Sequence, residues 1–159
     1  CERSKRANLR NEKFSVLSKE EVQEFHAIAA RIIPTDETPG ATEAGAIYFI
    51  DNVLNDGRAA EHETLRIGLR EMQAAAAQKF NVSYFHELES EQQDQLLTEA
   101  EGTPFFGTIR FLTIAGMFSL PEYGGNRDKV GYELIGFEDR HAWHPPYGSY
   151  DADYAERGE

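Results

Sequence analysis

The sequence predicts an all-α fold, a small bundle of about five helices followed by a long irregular arm rich in aromatic residues, glycine and proline. Three observations carry this. Apolar residues recur at three- and four-residue spacing, helix-start signals precede those stretches, and no segment sustains the alternation of a strand. The first element opens at Leu17-Ser18-Lys19-Glu20-Glu21. A serine with a glutamate three residues later satisfies two orphan amides reciprocally, so a helix is expected to begin near Ser18. Val22, Phe25, Ile28, Ala29, Ile32 and Ile33 give it one apolar stripe, and Pro34 stops it because proline lacks an amide and clashes with the preceding turn.

Pro34 to Gly40 is turn-rich, and Thr42 is expected to cap a second helix carrying Ala46, Ile47, Ile50, Val53 and Leu54. Asn55-Asp56-Gly57 tolerates the left-handed backbone that ends such a helix. A third is expected from about Ala59 to Phe80, with Leu65, Leu69, Met72, Ala76 and Phe80 inward and Arg66, Arg70, Glu71 and Lys79 toward water. Ser90-Glu91-Gln92-Gln93 reads as a second capping box, opening a short helix with Leu96, Leu97 and Ala100 that ends by Gly102. Pro104 suits the first turn of a fifth helix. Its apolar residues, Phe105 to Phe118, fall on more than one face, so it is expected at the centre of the bundle.

The chain divides into a basic N-terminal arm (1–13), a helical body (14–119) and an irregular C-terminal arm (120–159). From Ser119 onward lie five of the seven tyrosines and Trp143, whereas nine of the ten phenylalanines come before. Phenylalanine fills cores; tyrosine and tryptophan, with a polar handle, favour half-wet surfaces and interfaces. An aperiodic stretch of this length is expected to serve a function or to be ordered by a partner.

The 159 residues, 40% hydrophobic, suffice for one domain with a core, and sixteen Lys+Arg against twenty-eight Asp+Glu give a net charge of -12. Such a balance argues against nucleic-acid binding. One cysteine, Cys1, excludes an internal disulfide and any cysteine-rich metal or haem site made by this chain alone. Arg3, Lys5, Arg6, Arg10 and Lys13 follow it, leaving the remainder with eleven cations, twenty-six acids and a net charge of -15. A lipid on Cys1 beside this basic patch would suit an anionic membrane surface; the alternative is that Cys1 is merely an end.

Catalytic constellations are scarce. His62-Glu63 and His86-Glu87 lack the second histidine of a zinc-protease helix, since Arg66 and Ser90 stand there, and both are expected to be surface pairs. His26 lies beside the first apolar stripe as a boundary residue, and Asp36-Glu37 reads as solvated loop charge. No glycine loop has phosphate-cradle spacing and no Gly-x-Ser-x-Gly elbow occurs. Glu138, Asp139, His141 and His144 form the densest group of metal-ligand types, so a small metal-dependent hydrolase is the alternative function; pairing of Arg140 with an acid and packing of the histidines on Trp143 is the plainer reading. A stand-alone helical ligand-binding protein is a third. Binding is favoured over catalysis.

Two stretches carry a family resemblance. The first is Arg31-Ile32-Ile33-Pro34-Thr35-Asp36-Glu37-Thr38-Pro39-Gly40-Ala41 with Ala44-Gly45 and Ile50-Asp51; the second is Pro121-Glu122-Tyr123-Gly124-Gly125-Asn126 with Gly131-Tyr132 and Ile135-Gly136-Phe137. Together they resemble the small subunit of gluconate 2-dehydrogenase, a family that includes gamma subunits of bacterial FAD-dependent glucose and fructose dehydrogenases. Tyr132 departs from a frequent tryptophan. The resemblance implies a non-catalytic accessory subunit that binds a GMC-type flavoprotein, aids its maturation and carries a twin-arginine export signal for both, placing the complex in the periplasm. FAD and substrate then belong to the partner, and a multihaem cytochrome c subunit is a further partner in such assemblies. The implied interface takes in Pro121, Tyr123, Gly124, Gly125 and Asn126 with Tyr132 and Phe137, and the same arm adds Trp143, His144 and Tyr147.

Overall fold

The computed structural model describes residues 14–139 and Arg157. Six helices, and no strand, occur among them: α1 (Lys19–Ile32), α2 (Ala46–Asn55), α3 (Ala59–Phe80), α4 (Ser90–Ala100), α5 (Pro104–Phe118) and α6 (Val130–Leu134), with three-residue 3-10 turns at Phe85–Glu87, Pro121–Tyr123 and Arg127–Lys129. None of these helices is long and apolar enough to cross a membrane.

The Ser18 capping box forms as expected, with the Ser18 hydroxyl accepting from the Glu21 amide and the Glu21 carboxylate accepting from the Ser18 amide. Such a cap contributes about 1 kcal/mol. The second box is displaced by one residue, because the cap of α4 is Glu89, whose carboxylate takes the place expected of Ser90. Thr42 does not cap α2. Residues 41–45 wind through a turn in which Ala46 donates to the Ala41 carbonyl, and Gly45, with a left-handed φ of 66°, leads into the helix instead.

The core is one cluster in which Phe25 and Ile28 of α1, Ile50 of α2, Leu65 of α3, Phe85 of the first 3-10 turn and Ile109 of α5 are wholly buried. As expected, α5 is central, packing on the other five helices. Its apolar wrap is incomplete, since Phe111 is 65% exposed. Close approach at the centre depends on small residues: a Cβ on Gly68 would stand 2.2 Å from the Phe105 ring.

The segment after α5 is less irregular than expected, and α6 is an additional short helix. Residues 120–139 fold back on α5 and α2, so Asn126 and Tyr132 join the interior.

Candidate partner interface

Three strained or close-packed points lock this fold-back segment. Asn126, fully buried, donates its amide to the Gly116 carbonyl at 2.7 Å and its Nδ2 to the Ser119 carbonyl at 2.9 Å, while its Oδ1 accepts from the Gly131 amide at 2.9 Å. Those carbonyls belong to the end of α5, where helix geometry leaves acceptors unused. Gly125 and Gly131 allow the approach: a Cβ on the first would lie 2.0 Å from the Gly116 oxygen and on the second 2.0 Å from the Met117 oxygen. Between them, Asn126, Asp128 and Lys129 all have positive φ, at 45°, 54° and 63°. Such backbone costs about 1–2 kcal/mol per residue outside glycine, and persists only where the surroundings over-determine it.

The two motif stretches meet here. Arg127 donates its amide to the Ala44 carbonyl, Asn52 Nδ2 donates to the Tyr123 carbonyl at 3.1 Å, and the Arg127 guanidinium lies 5.9 Å from the centre of the Tyr48 ring. Phe14 stacks on Tyr48 with centroids 5.2 Å apart. The loop at 33–45 is itself tied down: Ala41 donates to the Ile33 carbonyl, Gly40 donates to Glu43, and Asp36, exposed as expected, accepts from Thr38.

What the segment displays differs from what it buries. Of the seven large apolar side chains exposed among the described residues, five lie on it: Leu120, Tyr123 at 51%, Leu134, Ile135 at 60% and Phe137 at 47%. Phe137 meets Tyr132 edge-on at 4.8 Å, which ties the exposed ring to the buried one. Of the expected interface residues, Tyr123 and Phe137 face solvent, Pro121 is half-buried, and Gly124, Gly125, Asn126 and Tyr132 are buried within the chain. Trp143, His144, Tyr147 and Cys1 lie outside the described residues.

Neither histidine pair is a surface pair. His62 is buried, its Nε2 lying 3.3 Å from Glu21 Oε1 without the alignment of a hydrogen bond. His86 is half-buried, and its Nδ1 shares a 2.8 Å hydrogen bond with Glu24 Oε1, a carboxylate with no solvent exposure that also accepts from the Phe85 amide. Burial pushes the Glu24 carboxyl up, against the opposing pull of His86 and the Phe85 amide. For Glu21, burial acts in the same direction but is outweighed by Arg66 at 2.6 Å and by Ser18, so the carboxyl is held down at about 2. Arg66, expected to face water, keeps its side chain 42% exposed while its Nε donates to Glu21.

Another buried acid that sequence reasoning overlooked, besides Glu24, is Asp51. Its carboxylate, 4% exposed, accepts three successive amides, from Ser15 at 2.7 Å and from Val16 and Leu17 at 3.0 Å each. It thereby pins the segment leading into α1 to α2 beside Tyr48. The signal was present, since Asp51 follows Ile50 and stands four residues after Ile47 on the apolar stripe.

Among the described residues no group of three or more histidine, cysteine or acidic side chains could hold a metal. Glu138 and Asp139 are exposed, with Asp139 paired to Lys129 at 3.0 Å, while Arg140, His141 and His144 fall outside the described residues. A cleft of about 220 Å³ beside Gly68, Met72, Leu96 and Phe105 has Glu71 and Glu99 at its edge, and Glu99 is taken by Lys79.

The family model for gluconate 2-dehydrogenase subunit 3 matches residues 19–139. No curated protein and no solved structure matches the chain. The match spans every helix from α1 to α6 and both motif stretches, and the chain belongs to the gluconate 2-dehydrogenase subunit 3 family.

Proposed function

We propose that this chain is a non-catalytic subunit of an FAD-dependent, GMC-type dehydrogenase complex that oxidises a sugar or sugar acid, and that the face displayed by residues 120–137 docks on the flavoprotein. One observation carries the reading: exposed apolar side chains are concentrated on a segment whose backbone is locked from behind. A rigid support matters, because a mobile apolar segment would lose in ordering entropy what its burial gains. Family membership supports the identity of the partner.

In this reading FAD and substrate sit in the partner, and the small subunit stabilises it during maturation and escorts it through the twin-arginine route to the periplasm. A lipid on Cys1 would tether the complex, and a multihaem cytochrome c would complete it.

The test is co-expression of the full chain with a GMC-type flavoprotein subunit from the same host, followed by purification on the small subunit and a flavin absorption spectrum. A stoichiometric flavin band is expected. It is expected to be lost in Tyr123→Ser/Phe137→Ser, with the circular dichroism unchanged. Survival of the complex in that variant, or absence of flavin from wild-type preparations, rejects the docking face.

A further inference from the structure

Away from the docking face, one buried acid grips the connection between α3 and α4. Phe85 of that connection is wholly buried, and its backbone is held from both sides: the amide donates to Glu24 Oε2 at 3.1 Å, and the carbonyl accepts from Gln93 Nε2 at 3.0 Å. Glu24 has no solvent exposure. Its other oxygen meets His86 Nδ1 at 2.8 Å, while the His86 side chain keeps 25% of its surface in water and lies against the Tyr84 ring. The other charged groups near α1 are engaged elsewhere. His62 and Arg66 of α3 turn to Glu21, Glu20 accepts from Gln73, and Arg31 holds Asp94 of α4. Asp51 of α2 takes the amides of residues 15–17, and Arg70 of α3, Arg110 of α5 and Glu87 are exposed. That leaves His86 to supply positive charge beside Glu24.

We propose that Glu24 and His86 form a proton-dependent latch, which seats Phe85 while the pair is net neutral and loosens residues 81–89 when the pair gives up a proton to solvent. The proton leaves through the part of the His86 ring that reaches water. What remains is a neutral imidazole beside a carboxylate anion that has no water of its own, an arrangement a low-dielectric interior penalises. Lifting Phe85 brings water to that carboxylate, because the Phe85 amide is one of its contacts. Release can stay local, since Asn81, Ser83, Glu87 and Glu89 of the connection are already exposed. In the open connection both groups are solvated and bind protons with ordinary affinity. The closed pair holds its proton more tightly, so closure is complete on the acid side and weakens as pH rises. The upward push of burial on the Glu24 carboxyl has the same sign.

The experiment follows hydrogen exchange at the Phe85 amide of the full chain by NMR from about pH 5.5 to 8, the range in which histidine titrates. Dividing by the intrinsic exchange rate at each pH leaves the opening equilibrium. For wild type that equilibrium is expected to shift about tenfold toward opening across the range, the effect of one unit of displaced proton affinity. Its midpoint should coincide with the titration of the His86 ring, and the amides of Leu65 and Ile109, in the core, should not follow it. In Glu24→Gln, whose amide oxygen can still accept from Phe85, and in His86→Gln the opening should no longer depend on pH. His62→Gln should behave as wild type, because His62 faces Glu21. A pH-independent wild type, a dependence that survives in Glu24→Gln, or one that disappears in His62→Gln overturns the proposal. An equal shift at Leu65 and Ile109 overturns it too, since the whole chain would then be opening. Should either latch variant fail to fold, the wild type decides alone: a His86 midpoint that differs from that of Phe85 exchange rejects the latch.

Discussion

Gly125→Ala is expected to force residues 120–137 away from α5. The added Cβ would stand 2.0 Å from the Gly116 oxygen, 2.8 Å from its carbonyl carbon and 2.9 Å from its Cα. All three are backbone atoms of a helix turn, so no side chain can rotate aside, and ordinary contact requires a shift of about 1.2 Å. Overpacking costs about 1–3 kcal/mol where neighbours yield. Here the ceiling is the cost of releasing the segment. Release would expose Tyr132, worth about 2 kcal/mol of apolar burial, and would break the hydrogen bonds that tie Asn126, at about 1 kcal/mol each. The expected loss is about 3–5 kcal/mol, or a fall in Tm of about 10–15 °C for a chain of this length. Thermal melts read the total, and hydrogen exchange at the Asn126 and Gly131 amides reads the segment. Gly107→Ala is the control, since a Cβ there meets nothing within 4 Å and alanine in a helix interior gains about 0.5–1 kcal/mol. A Gly125→Ala melt within about 2 °C of wild type, with those two amides still protected, would refute the argument.

Asp51→Asn presents an NH2 group to amides that need an acceptor, and is expected to cost about 2–4 kcal/mol in urea unfolding; a loss below about 1 kcal/mol would show that the clamp holds little. Two glutamates on α1 should give stability opposite dependences on pH. The folded Glu24 carboxyl lies above its ordinary value of 4.5, so its contribution is complete below that value and is lost as pH rises through the folded pKa. The unfolding free energy of Glu24→Gln relative to wild type should therefore increase above pH 4.5. Glu21 is held down at about 2, so its contribution is complete above 4.5 and is lost as pH falls toward 2. Glu21→Gln should flatten that acid limb, and parallel pH profiles for both variants would contradict the assignment.

Local and periodic features were legible in the sequence. The bounds of α3 match its apolar spacing from Ala59 to Phe80, and Ser18 caps α1 because its box needs only residues three apart. Features made by distant partners were not. Ser90 lost the cap of α4 to Glu89 because a carboxylate there makes the same pair of bonds, a choice that spacing alone does not decide. His62 stands three residues before Leu65 on the inward face of α3, so its burial was readable from position. Its neighbour Glu21, forty-one residues earlier, was not. The fold-back of residues 120–139 left no periodic trace, because its burial runs through glycine backbone, one asparagine and a five-residue helix too short to repeat.

The Pro121–Phe137 stretch divides its labour by residue type. Gly125 and Gly131 have no side chain to present, and the polar atoms of Asn126 are spent on α5 and the Gly131 amide, so these residues act inward by bringing backbone to backbone. Tyr123, Ile135 and Phe137 have no such inward partner for most of their surface, and their exposure persists although the segment beneath them is tightly bonded. Folding alone would be served as well by polar residues at those three positions, which would cost less in water. Three left-handed residues outside glycine, at Asn126, Asp128 and Lys129, add backbone strain that the bonds around them must hold in place. A chain that supports both expenses holds its apolar residues out on a rigid mount, which is the arrangement a second protein can bind with little ordering cost.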